Sequence, residues 1–239
     1  MDEVRNGHAE IAGEEARHLT RVLRVEAGER YEISDNRKVF LAEIEAARKE
    51  RVVFRTIEEL AAPASEARIV LCIALIKFDR FEWIVEKATE LGVSKIVPVV
   101  ATRSEHGLKR AAHKRLERWR RIALEASQQS RRAHLPEIDE PIEFQDLLAT
   151  GATPIAVTCR YALDEHPGAP PLSSVLPATR SVSDEIALMI GPEGGWTEEE
   201  HATFVGETQW TAVSLGPLIL RAETAAIAAL AVIRLAWLH

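Results

Sequence analysis

The sequence predicts an α/β protein, with a mostly parallel sheet flanked by helices over residues 67–239, after a small β-rich domain in residues 1–63. Three observations carry this. Arg68–Ile76 is a nearly continuous apolar run, as a strand covered on both faces requires, and Val93–Val100 and Glu185–Ile190 read as further strands. Segments with helical spacing of apolar residues separate them. The first sixty residues instead carry short apolar runs broken by charged turns.

Taken in order, Arg30–Ser34, Val39–Ile44 and Val52–Thr56 read as strands, and Ala61-Ala62-Pro63-Ala64-Ser65 reads as a linker. After the Arg68–Ile76 strand, Asp79 and Glu82 form a capping-box pattern. It opens a helix with Phe81, Ile84, Val85, Ala88 and Leu91 on one face, which Gly92 is placed to end. Val93–Val100 is the next strand. Lys109 to Ser130 reads as one long helix: Leu116, Trp119, Ile122, Ala123 and Ala126 share a face, opposite Arg110, Lys114, Arg118 and Arg121. Trp83 and Trp119 are expected to pack against neighbours. Ile155–Thr158 is a candidate strand, and Asp164–Ser183, rich in Pro and Ser, a loop. Glu185–Ile190 follows as a strand, Thr197 with Glu200 caps a helix, Thr211–Leu215 is the last strand, and Glu223–Leu238 is a helix apolar around most of its circumference.

A composition of 46% hydrophobic and 28% charged residues is that of an ordinary globular protein. Met1 to Arg30 is charged throughout and does not resemble a signal peptide. Leu218 to Leu238 is interrupted by Arg221, Glu223 and Arg234, which favours a buried helix over a bilayer span. Cys72 and Cys159 follow no metal or redox spacing, so a reduced, cytoplasmic protein is expected. His106, His113 and His134 have no ligand partners at metal spacing, and no metal is expected. The net charge of −7 hides an asymmetry. Arg103, Lys109, Arg110, Lys114, Arg115, Arg118, Arg120, Arg121, Arg131 and Arg132 crowd one segment, opposed only by Glu105, Glu117 and Glu125. Such a segment steers a polyanion even in an acidic chain.

The chemistry concentrates in two glycine-containing loops that follow strands, Gly191-Pro192-Glu193-Gly194-Gly195 and Leu215-Gly216-Pro217-Leu218. Ligands of open α/β sheets bind beyond the carboxyl ends of strands, where glycine lets backbone approach them. Each loop alone reads equally as a tight turn. Neither is a phosphate loop or a dinucleotide fingerprint, since no Gly-Lys-Ser/Thr or G-x-G-x-x-G is present.

Together, Ile190-Gly191-Pro192-Glu193-Gly194-Gly195 and Leu215-Gly216-Pro217-Leu218-Ile219-Leu220-Arg221-Ala222-Glu223-Thr224-Ala225 resemble the RsmE family, the 16S ribosomal RNA uridine-N3 methyltransferases of the SPOUT superfamily. The likeness extends to Lys77-Phe78-Asp79-Arg80-Phe81-Glu82-Trp83, to Lys87-Ala88-Thr89-Glu90-Leu91-Gly92-Val93, to Glu125-Ala126-Ser127-Gln128-Gln129-Ser130, and to His18-Leu19-Thr20-Arg21-Val22-Leu23-Arg24. Leu218, Ala222 and Gln128 depart from the family's usual Arg, Thr and Glu.

The resemblance implies a PUA-like RNA-binding β-barrel followed by a SPOUT α/β domain tied in a trefoil knot, working as a homodimer on ribosomal RNA or the small ribosomal subunit. It implies S-adenosylmethionine held by Leu188, Ile190, Gly191, Glu193, Gly194, Gly195, Leu215, Gly216, Leu220 and Thr224, with Arg221 and Glu223 at the chemistry. A guanidinium beside O2 and O4 of uracil would stabilise the anion formed at N3; the competing expectation for Arg221 is a structural ion pair, with Glu223 one candidate partner. RNA contacts are expected from Arg21, Arg24, Arg103, Arg110, Lys114, Arg118 and Arg131. A non-catalytic RNA-binding or ribosome-assembly factor on the same fold is the alternative. A Rossmann-type methyltransferase lacks its early glycine-rich loop here.

Overall fold

In the computed structural model the chain divides into two compact units, one up to Ala64 and one from Ser65. The structure describes residues 4–61, 66–105, 107–149, 157–206 and 210–238. The Ala61–Ser65 linker lies mostly outside these, as does the first half of the Ile155–Thr158 run.

The N-terminal unit is a four-stranded antiparallel sheet of β1 (His8–Ala12), β2 (Arg30–Ser34), β3 (Val39–Arg48) and β4 (Arg51–Leu60), in the order β1-β4-β3-β2. The alternating residues Ala42, Ile44, Val52 and Phe54 point into one small core that also takes Ala16 from α1 (Gly13–His18). A π-helical turn over Leu19–Leu23 follows α1 and ends at Arg24, whose φ of 55° is left-handed. Val22 and Leu23 are exposed there, between Arg21 and Arg24.

The second unit is a parallel sheet of β5 (Arg68–Ala74), β6 (Lys95–Val100), β7 (Glu137–Ile138), β9 (Cys159–Leu163), β10 (Glu185–Ile190) and β11 (Thr211–Val213). Their order is β11-β9-β10-β5-β6-β7, and β8 (Ile142–Glu143) also pairs with β6. Residues 69–74 of β5 are all buried because both faces are covered. Ile69, Leu71 and Ile73 face one core together with residues of α2 (Phe78–Glu90), α4 (Leu116–Gln129) and α8 (Ala222–Ala236). Val70 and Cys72 face the other, which contains residues of α5 (Phe144–Ala149) and α7 (Glu198–Gly206). Burial pushes the Cys72 thiol up to about 12, so it holds its proton and is no nucleophile.

Five expectations change. The long helix is broken: α3 (Leu108–Ala112) is followed by a tight 3₁₀ turn over His113–Arg115 and then α4. That turn brings His113 to Glu140 and Arg115 to Glu82, pairings that fix its direction. The Asp79–Glu82 capping box does not form. Phe78 is drawn into the helix by packing on Trp119, Lys77 becomes the N-cap without a side-chain bond, and Glu82 turns to Arg115 and Arg118. Trp119 is buried on Phe81, with ring centroids 4.4 Å apart, but Trp83 is exposed beside a groove between α2 and α4. The strand before residue 164 falls at Cys159–Leu163, where it pairs with β10 and β11, and the following loop contains a short helix, α6 (Leu172–Val175).

Candidate active site

β10 sits between β5 and β9, hydrogen-bonded on both edges, with Glu185 opposite Arg68 and Ile190 opposite Ile73. A strand pinned in this way is a rigid base for the loop that leaves it. β9 separates β10 from β11, so the two glycine loops leave the same end of the sheet from strands about 10 Å apart.

The first loop is held from several sides. Gly191 lies against the Trp196 indole, where a Cβ would come within 2.9 Å of the ring. Trp196 Nε1 donates to the Leu163 carbonyl at 3.0 Å. Gly195, at φ +69°, donates its N–H to the Pro192 carbonyl at 2.9 Å. Arg103 donates to the carbonyls of Gly194 at 2.7 Å and Trp196 at 3.1 Å. The expected capping box then starts α7: Glu200 accepts the Thr197 N–H and the Thr197 hydroxyl accepts the Glu200 N–H. The other Glu200 oxygen accepts the Thr102 N–H at 2.8 Å, which fixes the segment that carries Arg103.

The second loop begins with Ser214 hydrogen-bonded to Ala169, Pro170 and Leu172. Leu215 packs partly on the core. Gly216 has φ +118°, with nothing within 4 Å of where a Cβ would stand. Leu218 and Ile219 are 77% and 83% exposed. Arg221 is the extended N-cap of α8 and accepts the Ala225 N–H at 2.9 Å. Its side chain is exposed and carries no ion pair among the described residues, so the expected pairing with Glu223 is not formed. Glu223 instead has one oxygen 3.8 Å from Arg80, which also pairs with Glu193. Arg80 thereby links the first loop to the start of α8. The second Glu223 oxygen is buried and has no hydrogen-bond partner.

The structure thus brings Gly191, Glu193, Gly194 and Gly195 together in one braced loop, with Leu215, Gly216 and half-buried Leu220 in the other. Thr224 is exposed on the first turn of α8. Ile190 is buried at the end of its strand, and Leu188 is wholly buried in the sheet core. Sequence reasoning passed over Arg80 as a site residue, because nothing in its local pattern says that two distant carboxylates meet there. These features suit a ligand of S-adenosylmethionine's chemistry: backbone donors and acceptors in two loops, half-buried Leu215 and Leu220 for an aromatic ring, and one unpartnered buried carboxylate oxygen.

The expected RNA contacts separate. Arg21 and Arg24 are exposed on the N-terminal unit. On the second unit Arg110 and Lys114 are exposed and carry no ion pair among the described residues. Arg118 is bound to Glu82 at 2.7 Å, and Arg103 is engaged with the first loop. Exposed Arg131 has a left-handed backbone at φ 56°, just beyond α4. Among the described residues, one group has metal-ligating geometry: Asp164, His166 and His201, which sequence spacing did not bring together.

A family model described as an RNA methyltransferase domain matches residues 63–234, and one described as an RNA methyltransferase PUA domain matches residues 11–57. The chain is similar to the Ribosomal RNA small subunit methyltransferase E of Bacillus subtilis, with 32% identity over 227 residues, 93% of this chain and 88% of that one. The enzyme of the same name from Rickettsia conorii is 32% identical over 201 residues, covering 84% and 78%. Among solved structures, Ribosomal RNA small subunit methyltransferase E from Neisseria gonorrhoeae, bound to S-adenosylmethionine, superposes with a TM-score of 0.84 at 30% identity, covering 99% of this chain and 96% of that one. A putative methyltransferase from Legionella pneumophila, in complex with the same cofactor, gives 0.83 at 32% identity, covering 98% and 94%.

Proposed function

The chain belongs to the ribosomal RNA small subunit methyltransferase E family, and on that premise we propose that it transfers a methyl group from S-adenosylmethionine to N3 of a uridine in 16S ribosomal RNA. The observation that carries this reading is the pair of glycine loops at one end of the sheet, with Arg221 at the foot of the second, exposed and without an ion pair among the described residues.

When bound, the cofactor supplies an electrophilic methyl group on its sulfonium. Backbone groups of Gly191–Gly195 and Leu215–Leu220 would hold it, and Arg80 keeps the two loops in register through Glu193 and Glu223. Uracil N3 is a poor nucleophile while protonated, and its anion spreads charge onto O2 and O4. Arg221 supplies a forked donor for those oxygens. As the N3–carbon bond forms, the carbon–sulfur bond breaks, the electron pair goes to sulfur, and the N3 proton passes to solvent. The enzyme's tasks are alignment and charge support.

The N-terminal unit, with Arg21 and Arg24, and the basic stretch around Arg110 and Lys114 are the surfaces for RNA. We also propose that the second unit is knotted and pairs with a second copy. The seating of late strand β10 in mid-sheet supports the first, and the apolar face that α8 leaves open supports the second.

The deciding experiment is single-turnover methylation of small-subunit RNA with calorimetry of cofactor binding. Arg221→Ala is expected to keep near-parental cofactor affinity and lose on the order of a hundredfold or more in rate. Arg221→Lys should recover only part, and raising the pH should partly rescue the alanine variant because more uridine is already deprotonated. Loss of cofactor binding in a folded Arg221→Ala protein contradicts the assignment. Absence of measurable S-adenosylmethionine affinity in the parent favours a non-catalytic RNA-binding factor.

A further inference from the structure

Asp164 is the first residue after β9, and its backbone N–H donates to the Val213 carbonyl of β11 at 2.9 Å. Its carboxylate, only 3% exposed, receives two imidazoles. His201 Nε2, from α7, lies 2.7 Å from one oxygen; His166 Nδ1, two residues along the chain, lies 3.5 Å from the other. The rings stack with centroids 4.3 Å apart and planes 27° from parallel. All three ligand atoms lie within 4.8 Å of one another.

The carboxylate also accepts the His166 backbone N–H at 3.2 Å. For both rings to donate to one carboxylate, each must place its proton on the inward nitrogen. Protonating both rings would put like charges face to face within about 4 Å. A cation can take the place of the inward protons, accepting the lone pairs of two neutral rings and one carboxylate and leaving the outward nitrogens to carry the protons.

From these residues we propose a binding site for a divalent ion of the zinc class, ligated by Asp164, His166 and His201. Bonds of roughly 2.0–2.2 Å in a tetrahedron put donor atoms about 3.4 Å apart; His166 Nδ1 stands 3.5 Å from one Asp164 oxygen, while His201 Nε2, 2.7 Å from the other, must move outward to become a ligand. Two imidazoles and a carboxylate suit zinc and its first-row neighbours better than calcium or magnesium, which take oxygen ligands. Access exists, because exposure rises from Asp164 through His201 at 24% to His166 at 60%.

The site ties the end of β9 to α7, the helix that follows the first glycine loop. Trp196 of that loop is hydrogen-bonded to Leu163, and Gly195 is in close contact with Glu165. The ion therefore acts as a clamp on this seam and takes no part in methyl transfer.

Full-length protein, stripped with a chelator and dialysed, is titrated with Co²⁺ and followed by its visible ligand-field absorption, with Zn²⁺ as competitor. The proposal expects one equivalent of saturable binding with the intense bands of a four-coordinate site, abolished by Zn²⁺. It expects at least tenfold weaker binding in His201→Ala and in the exposed His166→Ala, both checked for native circular dichroism. A thermal midpoint raised by Zn²⁺ in the parent and unchanged in His166→Ala is also expected. Absence of saturable Co²⁺ binding in the parent, or unaltered isotherms in folded His166→Ala protein, overturns it.

Discussion

Arg110, Lys114 and Arg118 carry the same formal charge within nine positions of one another, yet they differ in what they can offer to a phosphate. Arg118 donates to Glu82 at 2.7 Å, a bond that raises its pKa and largely cancels its field. Arg110 and Lys114 have no such partner among the described residues. Removing either is expected to flatten the log–log dependence of RNA affinity on salt by roughly one unit or slightly less. Arg118→Ala should change the slope by much less, because Glu82 already occupies that guanidinium. Equal slopes in all three variants, from titrations at several salt concentrations, would contradict RNA contact through this segment. Gly216 allows a second test at this scale. Its φ of +118° is closed to side chains although the surrounding space is open, so the fault in Gly216→Ala lies in the backbone alone. Calorimetry should show at least tenfold weaker cofactor binding, with little change in the denaturation midpoint.

At the level of elements, one glutamate links three segments. Glu200 caps α7 at Thr197 and also accepts the Thr102 N–H beside Arg103, itself bound to the first loop. Thr197→Ala should cost about 1 kcal/mol, the usual value of a lost cap. Glu200→Ala strands two N–H groups and should cost about 2–5 kcal/mol in chemical denaturation, with weaker cofactor binding as the loop loosens. Equal costs for the two variants would show that the Thr102 bond is idle. The capping box was legible because both partners lie three residues apart. So were β5 and β10, whose apolar runs reflect burial on two faces. The break between α3 and α4 was hidden because Arg115 answers to Glu82, a residue of another helix. β7 and β8 escaped notice because two residues give no period. Arg80 and the meeting of His201 with Asp164 were illegible because those partners are close only in space.

On the scale of the whole molecule, α8 buries Ala222, Ala226, Ala229, Leu230 and Ile233, while Ala228 and Ala231 are only half covered and Leu235 is exposed. Placing a charge on the open face is therefore expected to split a dimer and spare the fold. Leu235→Glu should sediment as a monomer at micromolar concentration with a native circular dichroism spectrum; a parent protein that is itself monomeric there refutes the pairing. The far end of the helix is tied to the end of α2, since Arg234 donates to the carbonyls of Leu91 and Gly92 and pairs with Glu66. The position of β10 has a consequence for how this protein is made. Until Glu185–Ile190 leaves the exit tunnel, the apolar flank of β5 that it will cover has no partner, because Glu185 must reach back to Arg68. A nascent chain with an open, sticky strand edge is a substrate for chaperones and a seed for aggregation. Translation must therefore run well past Ile190 before the central sheet can close, and any message truncated before that point yields a product for proteolysis.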